Sequence, residues 1–306
     1  MIIDRSNRWY SSGLFRTLLR MTKGLPTGPL CTRASLAAEL RELGVLSGET
    51  LLLHSSLSSL GWVCGGPVAV VQALLDVLGA TGTLVVPTQT PDNSDPAEWR
   101  YPPVPEEWWP EIRDSTPAYD PRTTPSRGMG MIAETVRTWP GSLRSAHPQT
   151  SFAAVESRAA AVTDGHATDC RLGEQSPLAR LEEQGARVLL LGVGFASCTA
   201  FHLAEYRIPS PVVDSARAVL TPAGRRWETV REVSITSDRF EELGADFEER
   251  GPGPVVCGRI GAADVRLFSL ADAVAHAEVW LAEHRPGTSG SRKSPPAPEP
   301  PAGNGR

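Results

Sequence analysis

The stretch ARVLLLGVGFASCTAFHLAEYR, residues 186–207, decides how the rest of the chain is read. Its apolar run over 188–191 reads as a buried strand. The run breaks at Gly192-Val193-Gly194 and gives way to a helical stretch carrying His202 and Glu205. Strand, glycine turn and helix form a unit of α/β architecture, in which ligands collect beyond the C-terminal ends of the strands. Two readings of the turn stand open: it cradles a phosphate, or it aims the histidine. The dinucleotide fingerprint is met only in part. Ser197 stands where its third glycine belongs, and Pro209 and Pro211 interrupt the place where a second strand should start, although Asp214 lies near the position of a ribose-binding acid. His202 and Glu205 are three apart and share a helix face. They suit a base and its partner, or a surface ion pair. They are too few for a metal site, and no H-E-x-x-H is present.

Outward from this stretch, helix and strand signals alternate. TRASLAAELRELG places Leu36, Leu40 and Leu43 on one face, with Thr32 as N-cap and Gly44 as the stop. ETLLLH and GTLVVPT read as short buried strands, and PVAVVQALLDVLG between them as a helix ended by Gly79. Further signals fall at 126–138, 151–155, 176–184, 187–191 and 198–206. VVDSARAVLTPAGRRWETVREVSI reads as a hairpin turned at Pro222-Ala223-Gly224. An acidic helix follows, then strands near 254–260 and 264–268 and a last helix from Ser269 to His284. Short apolar strands between helices predict a mainly parallel sheet covered on both faces. Residues 90–125, rich in Pro, Trp and acid, lack periodicity and are expected to form a functional loop or lid.

The 306 residues suit one large α/β domain, expected over 29–285. A basic arm over 1–28 and a Pro/Gly/Ser-rich tail over 286–306 flank it, the tail too poor in apolar side chains to order itself. Met1 and Met21 are both candidate starts. No apolar run approaches the roughly 20 residues of a membrane span. The formal net charge of −5 argues against nucleic acid and suits a small cationic ligand. The five scattered cysteines lack C-x-x-C spacing, which argues against structural zinc. Without a secretory signal they are expected as reduced thiols in the cytoplasm.

Two small-residue turns are candidate sites, and two further stretches have a structural reading as well. HSSLSSLGWVCGG holds Ser55, Ser56, Leu57 and Ser58 between a strand and a helix, where backbone N–H groups suit phosphate oxygens. No Gly-Lys-Ser/Thr follows, so it is not a P-loop, and no G-x-S-x-G marks a serine hydrolase. TPSRGMGMIAE holds Ser126, Arg127, Gly128, Met129 and Gly130 at a helix start. An arginine there opposes the macrodipole unless an anion lies between them. SAHPQTSFAAV puts His147 and Ser151 at a strand entrance, and GEQSPLARL has Ser176 as N-cap.

Together, TRASLAAELRELGV, LLLHSSLSSLGWVCGG, GTLVVPTQT, YDPRTTPSRGMGMIAETVR, RSAHPQTSFAAV, GEQSPLARL and LLLGVGFASCTAFHLAEY occur in the order seen in the aminoglycoside 3-N-acetyltransferases. The chain resembles that family over about residues 30–285, most closely its forms from antibiotic-producing actinomycetes. The resemblance implies a three-layer α/β/α fold around a mainly parallel or mixed sheet. It implies acetyl-CoA-dependent acetylation of the 3-amino group of the 2-deoxystreptamine ring, with resistance as the outcome. The His of the T-x-x-H-x-x-E stretch, His202, would be the catalytic base. Ser55 to Ser58 and Ser126 to Gly130 would line the coenzyme site. The family often carries a polar residue and an Asn where this chain has Phe195 and Cys198, so the neighbours of His202 differ.

An amine attacking a thioester needs a free base near neutrality, which suits histidine. A carboxylate must orient the imidazole, and Glu205 and Asp238 are both candidates. No metal and no covalent intermediate is required. A polycationic substrate asks for acids, with Asp92, Glu205 and Asp238 the first choices and Asp95, Glu106 and Glu107 beside them. Trp108 and Trp109 are candidates to cover sugar faces. Expected partners are the small molecules alone, with neither nucleic acid nor membrane, and the protein is expected to be a monomer or homodimer. Two other functions stay open: a same-fold acyltransferase acting on another amine or hydroxyl, and a dinucleotide-binding oxidoreductase.

Overall fold

The structure, a computed structural model, describes residues 28–100 and 102–285. The expected arm and tail therefore fall almost wholly outside the described residues. In chain order the first elements are β1 (Leu30–Cys31), α1 (Arg33–Glu42), β2 (Thr50–Ser55), β3 (Trp62–Val63), α2 (Gly66–Leu78) and β4 (Thr83–Pro87). The middle holds α3 (Trp109–Ser115), α4 (Gly130–Arg137), β5 (Leu143–Arg144), β6 (Phe152–Glu156), α5 (Ala159–Thr163) and α6 (Pro177–Glu183). Then follow β7 (Arg187–Leu191), α7 (Phe201–Arg207), β8 (Val212–Thr221), β9 (Gly224–Val233), α8 (Phe240–Arg250), β10 (Val256–Ile260), β11 (Ala263–Ser269) and α9 (Leu270–His284).

Seven strands form one sheet in the order β10-β11-β7-β2-β4-β6-β5. Strand β2 runs parallel to both β4 and β7, and the four outer pairings are antiparallel. The sheet is thus mixed, with its parallel part confined to the three central strands. The outermost pairs β10–β11 and β5–β6 are joined by short returns, as antiparallel neighbours allow, whereas long segments with helices join β4 to β6 and β7 to β11.

Side-chain alternation divides the core. Leu52, Val85, Phe152, Val188 and Leu190 pack on one face with α5 to α9. Leu51, Leu53, Leu84, Leu189 and Leu191 pack on the other with α1, α2 and α4. A strand shows successive residues to opposite faces, so runs apolar at every position are covered on both. Each buried Leu, Val or Phe contributes about 1.5–3 kcal/mol of transfer free energy. The result is the three-layer α/β/α arrangement.

Local chemistry sets the element ends. Thr32 and Ser35 form a capping box at α1, and the Ser176 and Ser269 hydroxyls cap α6 and α9. The hairpin β8–β9 pairs ten residues a side about Pro222 and Ala223. The 90–125 stretch is more ordered than its lack of periodicity predicts: it holds 3₁₀ turns at Pro96–Glu98 and Glu106–Trp108 as well as α3. Capping, not periodicity, orders it. Asp95 accepts the Ala97 N–H at 2.9 Å and pairs with Arg113 at 2.8 Å, and Asn93 bonds the backbone of Ala218 in the hairpin. No described helix is long and apolar enough to cross a membrane.

Candidate active site

Three segments meet at the C-terminal ends of the parallel strands. The first leaves β2: His54 and Ser55 end the strand, Ser56 donates its N–H to Leu191 O at 2.9 Å, and a 3₁₀ turn runs over Leu57–Leu60. The second leaves β7 through the glycine turn. A Cβ at Gly192 would stand 1.7 Å from Ser59 Oγ, and one at Gly194 2.2 Å from Glu241 Oε1. The two glycines therefore let β7 pass against the serine loop and against α8. The third is the start of α4. There Glu134 accepts the Ser126 hydroxyl at 2.6 Å and its N–H at 3.2 Å, and is itself paired with Arg137.

Between these segments lies a cleft of about 830 Å³. Ser55, Ser56, Leu57, Ser58, Gly128, Met129 and Gly130 line it together with His54, Trp62, Gln89, Thr199 and His202. The 3₁₀ turn and the first turn of α4 both start at its edge. Backbone N–H groups in such first turns lack intrahelical acceptors and suit anions. These residues fit a phosphorylated ligand on size and on donors.

His202 sits on α7, with Nδ1 2.5 Å from Glu205 Oε2. Glu205 is fully buried. Its Oε1 accepts the Thr236 N–H at 3.0 Å and a bond from the Arg285 guanidinium. A carboxylate oxygen accepts, so Nδ1 is placed to donate to Glu205 and Nε2 is the ring nitrogen that the pair leaves over. No protein hydrogen bond holds Nε2 among the described residues. His54 lies beside it, 3.3 Å from Thr199 Oγ1. Burial, and then the charge His202 can carry, push His54 down to about 3, so it stays neutral.

Not every expected residue joins the cleft. Asp238 is exposed, its backbone N–H on Thr236 Oγ1 at 3.1 Å, so the carboxylate beside His202 is Glu205. Arg127 donates its N–H to Gln89 O, while its guanidinium pairs with Asp92 at 2.7 Å, both side chains more than half exposed. Neither Arg127, Asp92 nor the Ser126 side chain borders the cleft. Glu106, Glu107 and Trp108 are exposed on their 3₁₀ turn. Phe195 packs among Phe201, Phe247 and Phe268, and burial pushes the Cys198 thiol up to about 12, so both serve the core. Sequence reasoning missed Thr236 and Arg285, which carry no motif, and Trp62 and Gln89. Among the described residues no cluster of His, Cys, Asp or Glu is placed to hold a metal ion.

A second polar cluster lies under the hairpin. The His147 and His166 rings stand 4.7 Å apart. His147 Nδ1 accepts the N–H groups of Gln149 and Thr150 at 3.1 and 3.0 Å. His166 donates from Nε2 to Arg171 O at 2.8 Å and meets the Ser145 hydroxyl through Nδ1 at 3.0 Å. Glu232 pairs with Arg171 at 2.7 Å and with fully buried Arg217 at 3.2 Å. Burial holds His147 well below the ordinary imidazole range and His166 at about 4.

A family model described as aminoglycoside 3-N-acetyltransferase matches residues 52–282. The chain is 46% identical over 252 residues to the SPbeta prophage-derived aminoglycoside N(3')-acetyltransferase-like protein YokD of Bacillus subtilis (strain 168), over 82% of this chain and 92% of that protein. The crystal structure of YokD matches with a TM-score of 0.82, over 84% of this chain and 96% of that one, at 45% identity. Aminoglycoside N(3)-acetyltransferase VII of Streptomyces paromomycinus is 36% identical over 273 residues, 84% of this chain and 93% of that protein. A structure described as AAC-IIIb binary with CoASH matches with a TM-score of 0.73 at 33% identity, over 86% of this chain and 100% of that one. The family model and these relatives span the sheet, the serine loop and the His202 helix, and the chain belongs to the aminoglycoside 3-N-acetyltransferase family.

Proposed function

We propose that this protein acetylates the 3-amino group of the 2-deoxystreptamine ring of aminoglycosides, taking the acetyl group from acetyl-CoA by direct transfer in a ternary complex. The observation that carries the reading is the His202–Glu205 pair on the wall of the cleft that the serine loop and the α4 turn also line. His202 Nε2 takes a proton from the attacking ammonium or amine, and Glu205 holds the imidazole and balances the charge it acquires. The serine loop, Ser55, Ser56, Leu57 and Ser58, and the turn residues Gly128, Met129 and Gly130 bind the coenzyme through hydroxyls and free backbone N–H groups, while Ser126 and Arg127, whose N–H groups are already bonded within the protein, shape that turn from behind. Backbone donors also stabilise the oxyanion that develops on the thioester carbonyl. Asp92 and Asp238, both exposed, draw in the polycation, and Glu205 supplies negative charge behind the base. Such a donor suits a reaction in the cytoplasm, and acetylation of the drug would make resistance its outcome.

The test is a thiol-release assay with acetyl-CoA and a panel of aminoglycosides, with the product's acetylated nitrogen located by NMR. Thiol release dependent on a 2-deoxystreptamine drug, with the acetyl group on N3, is expected. Release with other amines or hydroxyls only would move the protein to another acyl acceptor, and measurable NADH affinity would revive a dinucleotide site.

A further inference from the structure

We infer that Arg285 is a positioning residue for His202, and that the end of α9 latches Glu205 in its ionised, proton-accepting state. The inference rests on the reading of His202 as the base and adds a residue to it.

The argument starts from the burial of Glu205. A carboxylate with no solvent exposure is costly unless it is paired and hydrogen-bonded. Glu205 has three partners: His202 Nδ1, the Thr236 N–H and the Arg285 guanidinium. Only Arg285 brings a fixed positive charge. Remove it, and the buried carboxylate must neutralise itself with a proton. It either takes one and donates it to Nδ1, or holds the imidazole as a cation. Both outcomes leave a proton on Nε2, and the base is lost. With Arg285 in place the carboxylate is balanced while the imidazole stays neutral, with Nε2 free.

The geometry of α9 fits this role. Arg285 also donates from Nη2 to Thr236 O at 2.9 Å, so one residue, Thr236, ties both guanidinium and carboxylate. Arg239 makes a second tie: its Nη1 donates to His284 O at 3.0 Å, and its guanidinium lies 4.9 Å over the Trp280 ring. Arg239 has φ 71°, a left-handed conformation uncommon for arginine, and the contacts with α9 hold it there. The turn that carries Thr236 is thus fastened to the end of α9 at two points.

Three variants test the latch in the full chain. Arg285→Ala should lower kcat about 10- to 100-fold, the scale for losing a group that orients a reacting side chain. KM for both substrates should change little, because Arg285 touches neither. Added guanidinium should restore part of kcat, and Arg285→Lys should keep more of it than Arg285→Met. Nitrogen-15 NMR of the His202 ring should find the proton on Nδ1 in the wild type and on Nε2 in Arg285→Ala. Wild-type kcat in Arg285→Ala overturns the latch, as does a loss that guanidinium leaves unrestored while the ring proton stays on Nδ1. The ring readout does not depend on turnover, so it tells this failure from the other. If His202→Ala keeps full turnover, the base reading falls.

Discussion

The cleft and the cluster under the hairpin are built from the same residue types and do opposite things. Each holds histidines beside a buried glutamate and an arginine. In the hairpin cluster His147, His166, Arg217 and Glu232 are sealed from solvent. His147 spends Nδ1 on two backbone N–H groups while its Nε2 is buried without a partner among the described residues, and both nitrogens of His166 have protein partners. In the cleft His202 is held at one nitrogen only, and the other is left to the open side. What sets His202 apart is where its second nitrogen faces: the cleft, not the protein interior. An imidazole enclosed by protein on every side, as His147 and His166 are, is a strut.

The largest effect should separate the two regions at once. His202→Ala should cut acetyl transfer by about 10²–10⁴, the usual share of a positioned base, with the melting temperature and acetyl-CoA affinity by calorimetry nearly unchanged. His147→Ala should do the reverse, lowering the melting temperature while folded protein keeps its turnover. Were the two phenotypes exchanged, the assignment of strut and base would be backwards.

Next in size is the hairpin's charge. Glu232→Ala leaves Arg217 buried without its carboxylate, and breaking such a pair costs about 3–5 kcal/mol. Urea unfolding measures this. A loss no larger than that of an exposed pair would show that water enters the cluster.

Acid should then find the sealed region first. His166 is neutral in the folded protein down to about 4, against 6.5 for the free side chain. Between those values the unfolded chain binds the proton and the folded one does not, so stability rises with pH there. Its contribution is complete above about 6.5 and is lost as pH falls toward about 4, on the order of 3 kcal/mol at 1.36 kcal/mol per unit. His147, pushed down by the same burial, adds to the loss. Equilibrium unfolding from pH 7 to 4 should show this slope, and His166→Gln should flatten it. An equal slope in that variant would place the acid sensitivity elsewhere.

The smallest effect sharpens the cleft's boundary. Arg127 pairs with Asp92 where both are exposed, and such pairs are worth about 0–1 kcal/mol. Arg127→Ala should weaken acetyl-CoA binding by no more than about 1 kcal/mol. A larger loss by calorimetric titration would mean that Arg127 leaves Asp92 for the coenzyme.

What was legible in the sequence follows from what is local. The buried strands, the caps at Thr32, Ser176 and Ser269 and the turn at Pro222 all announce themselves within a few residues. So does the pairing of His202 with Glu205, which needs only one helical turn. The antiparallel flanks did not, because an apolar run has the same pattern in either direction. Arg285 was illegible for a related reason. It lies 80 residues from Glu205, at the end of a helix whose periodicity says nothing of its last residue. The choice between Glu205 and Asp238 likewise waited on the turn 236–239, which turns Asp238 outward.

The pairing of β2 with β7 has a kinetic consequence. Leu51 pairs with Arg187 and Ser55 with Leu191, and the strands bring His54 to Thr199, 145 residues later. The serine loop leaves one strand and the His202 helix follows the other, so the two halves of the cleft share no local contact. Closing so long a loop carries an entropic cost that must be met before its contacts repay it, and such pairings form slowly. A refolding chain gains helices and hairpin early and its cleft only when these two strands meet. Recovery of acetyl transfer after dilution from denaturant is therefore a clock for that single event.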